Sequence, residues 1–241
     1  MKILEKIKNK QSDIFGGKPV TIAFLGDSVT QGCYECYYTS ETTLETVFDY
    51  KNAYSTRVKE ILNILYPSVQ INVINSGISG DNAVNGLSRI DRDVLCFNPD
   101  LVVVGFALND SCAGEDGKDR YYNAMSGIVD RVLKSGAECI LLTPNMMNVK
   151  TSCHLKGDLF LNLAKTFANV QNSGMLTDYV NIIKRIATEK DVPICDIYKS
   201  WIAMSEAGVD VTELLANKFN HPIRELHYYT AMKIVEQIFH N

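Results

Sequence analysis

Ser28 is the first residue in this chain whose type and setting could do chemistry. It follows the apolar run in IAFLGDSVTQG (22–32), which stops abruptly at Gly26 and gives way to Asp27 and Ser28. A serine in such a place either caps a helix or turn through its side-chain oxygen, or acts as a nucleophile once a base within hydrogen-bond reach takes its proton. A second pattern is the pair Cys33 and Cys36 in CYEC, which has CxxC spacing. Redox or zinc chemistry there needs an electropositive helix start or a second ligand pair. The sequence supplies neither, so the two are read as loop thiols and no metal is expected. Among the histidines, His154 has no ligand-spaced partner and His240 is the penultimate residue. His227 falls within a helical pattern, where a surface or internally satisfied ring is expected.

The elements that must position Ser28 alternate along the whole chain. Short β-branched runs occur at 20–26, 69–75, 100–106, 138–144 and 192–198. They are continuous rather than alternating, as parallel strands buried on both faces should be. Between them run helical stripes: Tyr54, Val58, Ile61, Leu62 and Leu65; Ala83, Leu87, Ile90 and Val94; Met125, Ile128, Val129 and Val132; Leu176, Tyr179, Val180 and Ile183; and, near the end, Ile223, Leu226, Ile234, Val235 and Ile238. Five strands with crossover helices predict an α/β fold. The expected form is a three-layer α/β/α sandwich around a flavodoxin-like, doubly wound, five-stranded parallel sheet, in one domain spanning 1–241. In such a sheet ligands bind beyond the carboxyl ends of the strands. Ser28, Gly80 and Asn109 all follow such ends. Two stretches, 33–50 and 145–173, are too long for plain connections and are expected to be functional loops.

Four blocks in order resemble those of the SGNH, or GDSL-type, hydrolase family. GDSVTQG (26–32) resembles the first, with Val29 where the usual motif has leucine. NSGISGDNAVNGLSRI (75–90) is similar to the second, GFALND (105–110) to the third and KFNHPIRELH (218–227), in part, to the last. The resemblance spans roughly residues 20–236. It implies a serine hydrolase acting on ester bonds, with Ser28 as nucleophile and His221 as general base. The oxyanion hole would be formed by the Ser28 N–H, the Gly80 N–H and the Asn109 side-chain amide. The chemistry is physically coherent, because donors fixed in advance stabilise the negative oxygen of the tetrahedral intermediate at little reorganisation cost.

The last block departs from the family pattern. The acid normally stands three residues before the histidine, and here that position is Lys218. Pro222 is expected to begin a helix, which would place His221 near its positive end and disfavour a protonated imidazole. Three solutions are open: a Ser–His dyad whose tautomer is fixed by a backbone carbonyl; a carboxylate from elsewhere (Asp196, Asp210, Glu213 or Glu225); or lost activity, leaving a catalytically idle carbohydrate- or lipid-binding member.

Composition narrows the remaining classes. At 241 residues, 46% hydrophobic and 22% charged with net charge −4, the chain has no basic footprint for nucleic acid. It has no apolar run near the roughly 20 residues of a membrane span. The N-terminus lacks the apolar region of a signal peptide, and the odd count of seven cysteines, with Cys96, Cys139 and Cys195 in apolar segments, favours a reducing compartment. The reading is a cytoplasmic, soluble protein. No cofactor is expected, since GDSVTQG is neither G-x-G-x-x-G nor a Walker A loop. The family includes carbohydrate deacetylases, lysophospholipases, thioesterases and arylesterases. Short-acyl esters, O-acetyl groups on carbohydrate among them, are the expected substrates, because nothing in the sequence suggests the large apolar groove of a lipase. The aromatics Tyr34, Tyr37, Tyr38, Phe48 and Tyr50 either stack on sugar, line an acyl site or pack their loop onto the domain.

Overall fold

A computed structural model describes residues 1–240. Helix α1 (Lys2–Ser12) leads into β1 (Val20–Gly26), the short helix α2 (Ser28–Gln31) and a hairpin of β2 (Cys33–Ser40) and β3 (Thr43–Phe48). Then follow α3 (Tyr54–Leu65), β4 (Ile71–Gly77), α4 (Ala83–Asp93), β5 (Leu101–Gly105), α5 (Leu108–Ser111), α6 (Lys118–Lys134) and β6 (Glu138–Leu142). The chain closes with α7 (Asp158–Asn172), α8 (Met175–Lys190), β7 (Ile194–Cys195), α9 (Ile197–Glu206) and α10 (Arg224–Phe239).

The five-stranded sheet has the order β4-β1-β5-β6-β7 with every pair parallel. Counting only these strands, the order is 2-1-3-4-5, the flavodoxin-like arrangement expected, with its reversal of direction at β1. Helix α3 packs on α10 and α10 on α1; α4 packs on α6 and α6 on α8. The two groups cover the sheet as the outer layers of an α/β/α sandwich. The core is the sheet itself: Ile22, Phe24, Leu25 and the run Leu101–Val104 are fully buried, matched from the helices by Leu62, Ile128, Ile183 and Ile234.

Several expectations are revised. The strand expected at 192–198 is only Ile194–Cys195, because Asp196 accepts from the Lys199 N–H and caps α9. The stretch 33–50 is largely a hairpin rather than a loop, and 145–173 contains α7. Leu65 is half exposed, and Cys96 lies at the surface, its thiol donating to the Arg92 carbonyl. Pro222 does not begin a helix. It pairs with Leu215 in an isolated antiparallel bridge, and α10 starts at Arg224.

The carboxyl edge of the sheet is marked by a row of glycines. Gly26 stands in register with Gly77 on one side and Gly105 on the other. A methyl group on Gly26 would meet Thr30 Oγ1 and the Gly105 carbonyl, and one on Gly77 would meet the backbone of Thr30 and Gln31. Two of the three glycines therefore exist so that α2 can lie directly across the strand ends, with Ser28 at its start. Backbone cannot retreat as a flexible side chain can, so Gly77→Ala should cost about 1–3 kcal/mol. A urea titration that found Gly77→Ala within experimental error of the parent would contradict this close approach.

Candidate active site

Asp27 ends β1 and turns the chain into α2, its carboxylate accepting from the Val29 N–H at 3.0 Å. Ser28 is thereby the first residue of a helix, where backbone N–H groups have no intrahelical partner. Its hydroxyl lies 3.0 Å from His221 Nε2, and both side chains are buried. The other ring nitrogen, Nδ1, is 2.9 Å from the backbone carbonyl of Tyr34. A carbonyl only accepts, so the proton resides on Nδ1 and Nε2 is left as an acceptor for the Ser28 hydroxyl. Burial pushes the His221 pKa down to about 4, with the Tyr34 carbonyl acting partly against it.

The partner of Nδ1 is thus a backbone carbonyl and not a carboxylate. Asp196 is engaged with Thr143, Lys184 and the α9 cap; Asp210 pairs with Lys150; Glu213 pairs with Ser152 and Lys218. None of them, nor Glu225, bonds to His221. Lys218, at the usual acid position, turns away to the carboxylate and carbonyl of Glu213 and holds φ +65. That turn is organised by Asn217, whose Oδ1 accepts the N–H groups of Phe219, Asn220 and His221 at 2.9–3.1 Å. Asn145 Nδ2 donates to the Asn220 carbonyl at 2.9 Å, tying the same loop to the end of β6.

The strand ends also gather the second and third blocks. Gly80, at φ +77, sits in a turn closed by the Asp81 N–H on the Ile78 carbonyl, with open space where a side chain would stand. Asn109 Nδ2 donates to the Asp81 carbonyl at 2.7 Å, which places its amide beside that turn and leaves its second N–H. Ala107 holds φ +141 to launch α5, a conformation that costs an L residue about 1–3 kcal/mol and persists only where its surroundings enforce it. A buried arginine stitches the edge together. Arg89 donates to the Gly26 carbonyl at 3.0 Å, to the Ser76 carbonyl at 2.7 Å and to the Asp81 carboxylate at 2.7 Å. Burial raises Asp27 to about 7 and Asp110 to about 6, with neighbouring carboxylates adding to both. Beside Asn109 opens a cavity of about 270 Å³ with Asn82, Asn85, Asp110 and Arg120 in its wall.

A model of the GDSL-like lipase/acylhydrolase family matches residues 24–227. The chain belongs to that family. An acetylxylan esterase from Geobacillus stearothermophilus is 30% identical to this family member over 94 residues, 39% of this chain and 41% of that protein. The match therefore spans less than half of that curated relative. A variant of an acetyl-xylooligosaccharide esterase from the same organism superposes with a TM-score of 0.68 at 19% identity, over 92% of this chain and 95% of that one. A two-domain esterase active on acetylated mannans gives a TM-score of 0.66 at 21% identity, over 98% of this chain and 52% of that one. At these identities the superpositions show a shared fold.

Other residues stand differently from the sequence reading. His227 is fully buried; its Nδ1 accepts from the Tyr54 N–H at 3.2 Å while Nε2 has no partner, and burial lowers its pKa to about 3. His154 and His240 lie exposed near Glu213 and Glu236. Cys33 and Cys36 are free thiols, Cys33 raised to about 12 by burial, the opposite of what a reactive thiolate requires. Sequence reasoning missed Tyr34, Asn217, Arg89 and Arg224. The one visible signal was Arg89, a charge set into the buried stripe of α4. Removing the Asn217 acceptor strands buried N–H groups at about 1–3 kcal/mol each. Asn217→Ala should therefore lose about 3 kcal/mol or more in chemical denaturation, and an unchanged midpoint would contradict this role for the turn.

Proposed function

We propose that this family member is a serine esterase that hydrolyses short-acyl esters, O-acetyl groups on carbohydrate foremost, through an acyl-enzyme on Ser28. The observation that carries the reading is the pairing of Ser28 Oγ with His221 Nε2 at 3.0 Å while His221 Nδ1 is held at 2.9 Å by a group that can only accept. This is the arrangement a nucleophile and its general base require. His221 takes the Ser28 proton as Oγ attacks the ester carbonyl, returns it to the departing alcohol, and then activates water against the acyl-enzyme.

The Ser28 N–H, the Gly80 N–H and the Asn109 amide are the proposed donors to the tetrahedral oxyanion, each worth about 10²–10³ in rate if it acts as such donors usually do. Acetylated carbohydrate is supported by the names of the relatives, an acetylxylan esterase and an esterase active on acetylated mannans. It is also supported by the polar wall of the cavity beside Asn109. A groove with the exposed Tyr37 and Tyr38 in its wall offers aromatic surface suited to sugar. Among the described residues no helix is long and apolar enough to cross a membrane.

Hydrolysis of p-nitrophenyl acetate and of acetylated xylo-oligosaccharides tests the reading. Ser28→Ala and His221→Ala should each lower kcat by about 10³-fold or more. Asp196→Asn, Asp210→Asn, Glu213→Gln and Glu225→Gln should each leave kcat within about two-fold of the parent, because none of the four contacts His221. Turnover that survives Ser28→Ala would overturn the assignment, and a large loss in one acid variant would reinstate a triad.

A further inference from the structure

The carbonyl that takes the place of the missing acid sits in an unpromising location. Tyr34 lies at the root of β2, in a two-stranded ribbon that is not hydrogen-bonded to the main sheet and becomes exposed toward its tip. Such ribbons are marginal on their own. A carboxylate on the histidine's own loop would move with the histidine, whereas this carbonyl belongs to a different part of the chain, 187 residues away.

One side chain joins the two. Arg224, three residues beyond His221 in the first turn of α10, grips Glu35 with both terminal nitrogens, Nη1 to Oε1 at 2.7 Å and Nη2 to Oε2 at 3.1 Å. Its Nε donates to Asp49 Oδ2 at 2.8 Å, just past the end of β3. Its guanidinium carbon stands 4.3 Å over the ring of Tyr34, and the His227 ring lies tilted against the same tyrosine at 4.7 Å. Tyr34 is fully buried and its hydroxyl is unpartnered, so its ring is held by packing contacts. Isolated surface ion pairs are worth little, but a bidentate arginine–carboxylate pair within a network is the recognised exception, and its fork fixes geometry as well as energy. The Arg224 guanidinium holds the Glu35 carboxyl below the usual carboxylate range. The peptide that offers the carbonyl to His221 is the Tyr34–Glu35 peptide itself.

We propose that Arg224, with Glu35 and Asp49, is a positioning clamp that holds the Tyr34 carbonyl on His221 Nδ1 and so performs the orienting work of the absent acid. The claim rests on the Ser28–His221 reading. Loosening the clamp should leave substrate binding alone and degrade the base. Misplacement of a catalytic group by about 1 Å costs on the order of 10²-fold. Arg224→Met should therefore lower kcat about 10- to 100-fold with KM within about two-fold, and Arg224→Lys, which keeps the charge without the fork, should fall between Arg224→Met and the parent. Glu35→Gln combined with Arg224→Met should be no worse than Arg224→Met alone, because both break the same contact.

The measurement is steady-state kinetics on p-nitrophenyl acetate, with 15N NMR of the His221 ring in the parent and in each variant, near-UV circular dichroism confirming that each variant is folded. The parent should show the Nδ1–H tautomer and Arg224→Met a mixture of tautomers. A folded Arg224→Met with kcat within two-fold of the parent, or with raised KM and unchanged kcat, would overturn the clamp. If the parent itself hydrolyses no ester, the proposed activity fails and the NMR alone decides the clamp, an unaltered tautomer in Arg224→Met counting against it.

Discussion

The hydrogen bond between His221 Nδ1 and the carbonyl of Tyr34 is the constraint around which this molecule is arranged. An imidazole that must accept a proton at Nε2 needs its other nitrogen protonated and its ring held still. A carboxylate does both and also favours the charged form. A backbone carbonyl fixes the tautomer without supplying a full negative charge, so the burden shifts to burial and rigidity. The structure reflects that shift. The histidine loop is wound on Asn217, tied to β6 by Asn145 and closed by the Leu215–Pro222 bridge. The root of the hairpin is buried although its tip lies in solvent.

A second rigid frame holds Ser28. Gly26 and Gly77 let α2 lie on the strand ends, and Arg89 draws the ends of β1 and β4 and the Asp81 turn onto one buried guanidinium. Arg89 and Asp81 are both buried, and such a pair offsets its desolvation only with good geometry and further hydrogen bonds to its remaining lone pairs and protons. Here the remaining arginine donors go to the Gly26 and Ser76 carbonyls and to the Asp93 carboxylate, so the pair fastens chain segments in place of leaving charge unmatched. The site is thus assembled at the point where the sheet reverses direction, as in other open parallel sheets.

Much of this was legible from residue types alone. The β1 run ends at the glycine where the strand ends, and the continuous apolar strands imposed a doubly wound sheet because only right-handed crossovers fit them. Ser28 and His221, which the structure brings to 3.0 Å, were singled out by their blocks, and a carbonyl beside the histidine was among the arrangements open once Lys218 occupied the acid position. Which solution holds was not readable, since a backbone carbonyl has no side-chain signature. Tyr34 looked like one aromatic among several, and Arg224 and Glu35 like ordinary surface charges. The hairpin was obscured by its polar, threonine-rich tip. Pro222 suggested a helix start from local preference, whereas its pairing with Leu215 is a tertiary choice that no local pattern records.

The pH dependence of kcat/KM on a neutral acetyl ester tests the account most directly. His221 must be neutral to act as base, so activity is present above its pKa and lost as pH falls through it. With burial holding that pKa near 4, well below the usual 6.5, the profile should stay flat through pH 6 and decline only toward pH 4. An acid limb centred at 6.5 or higher that coincides with titration of the His221 ring in 15N NMR would mean that an acidic partner stabilises the imidazolium, and would contradict a base held by backbone alone.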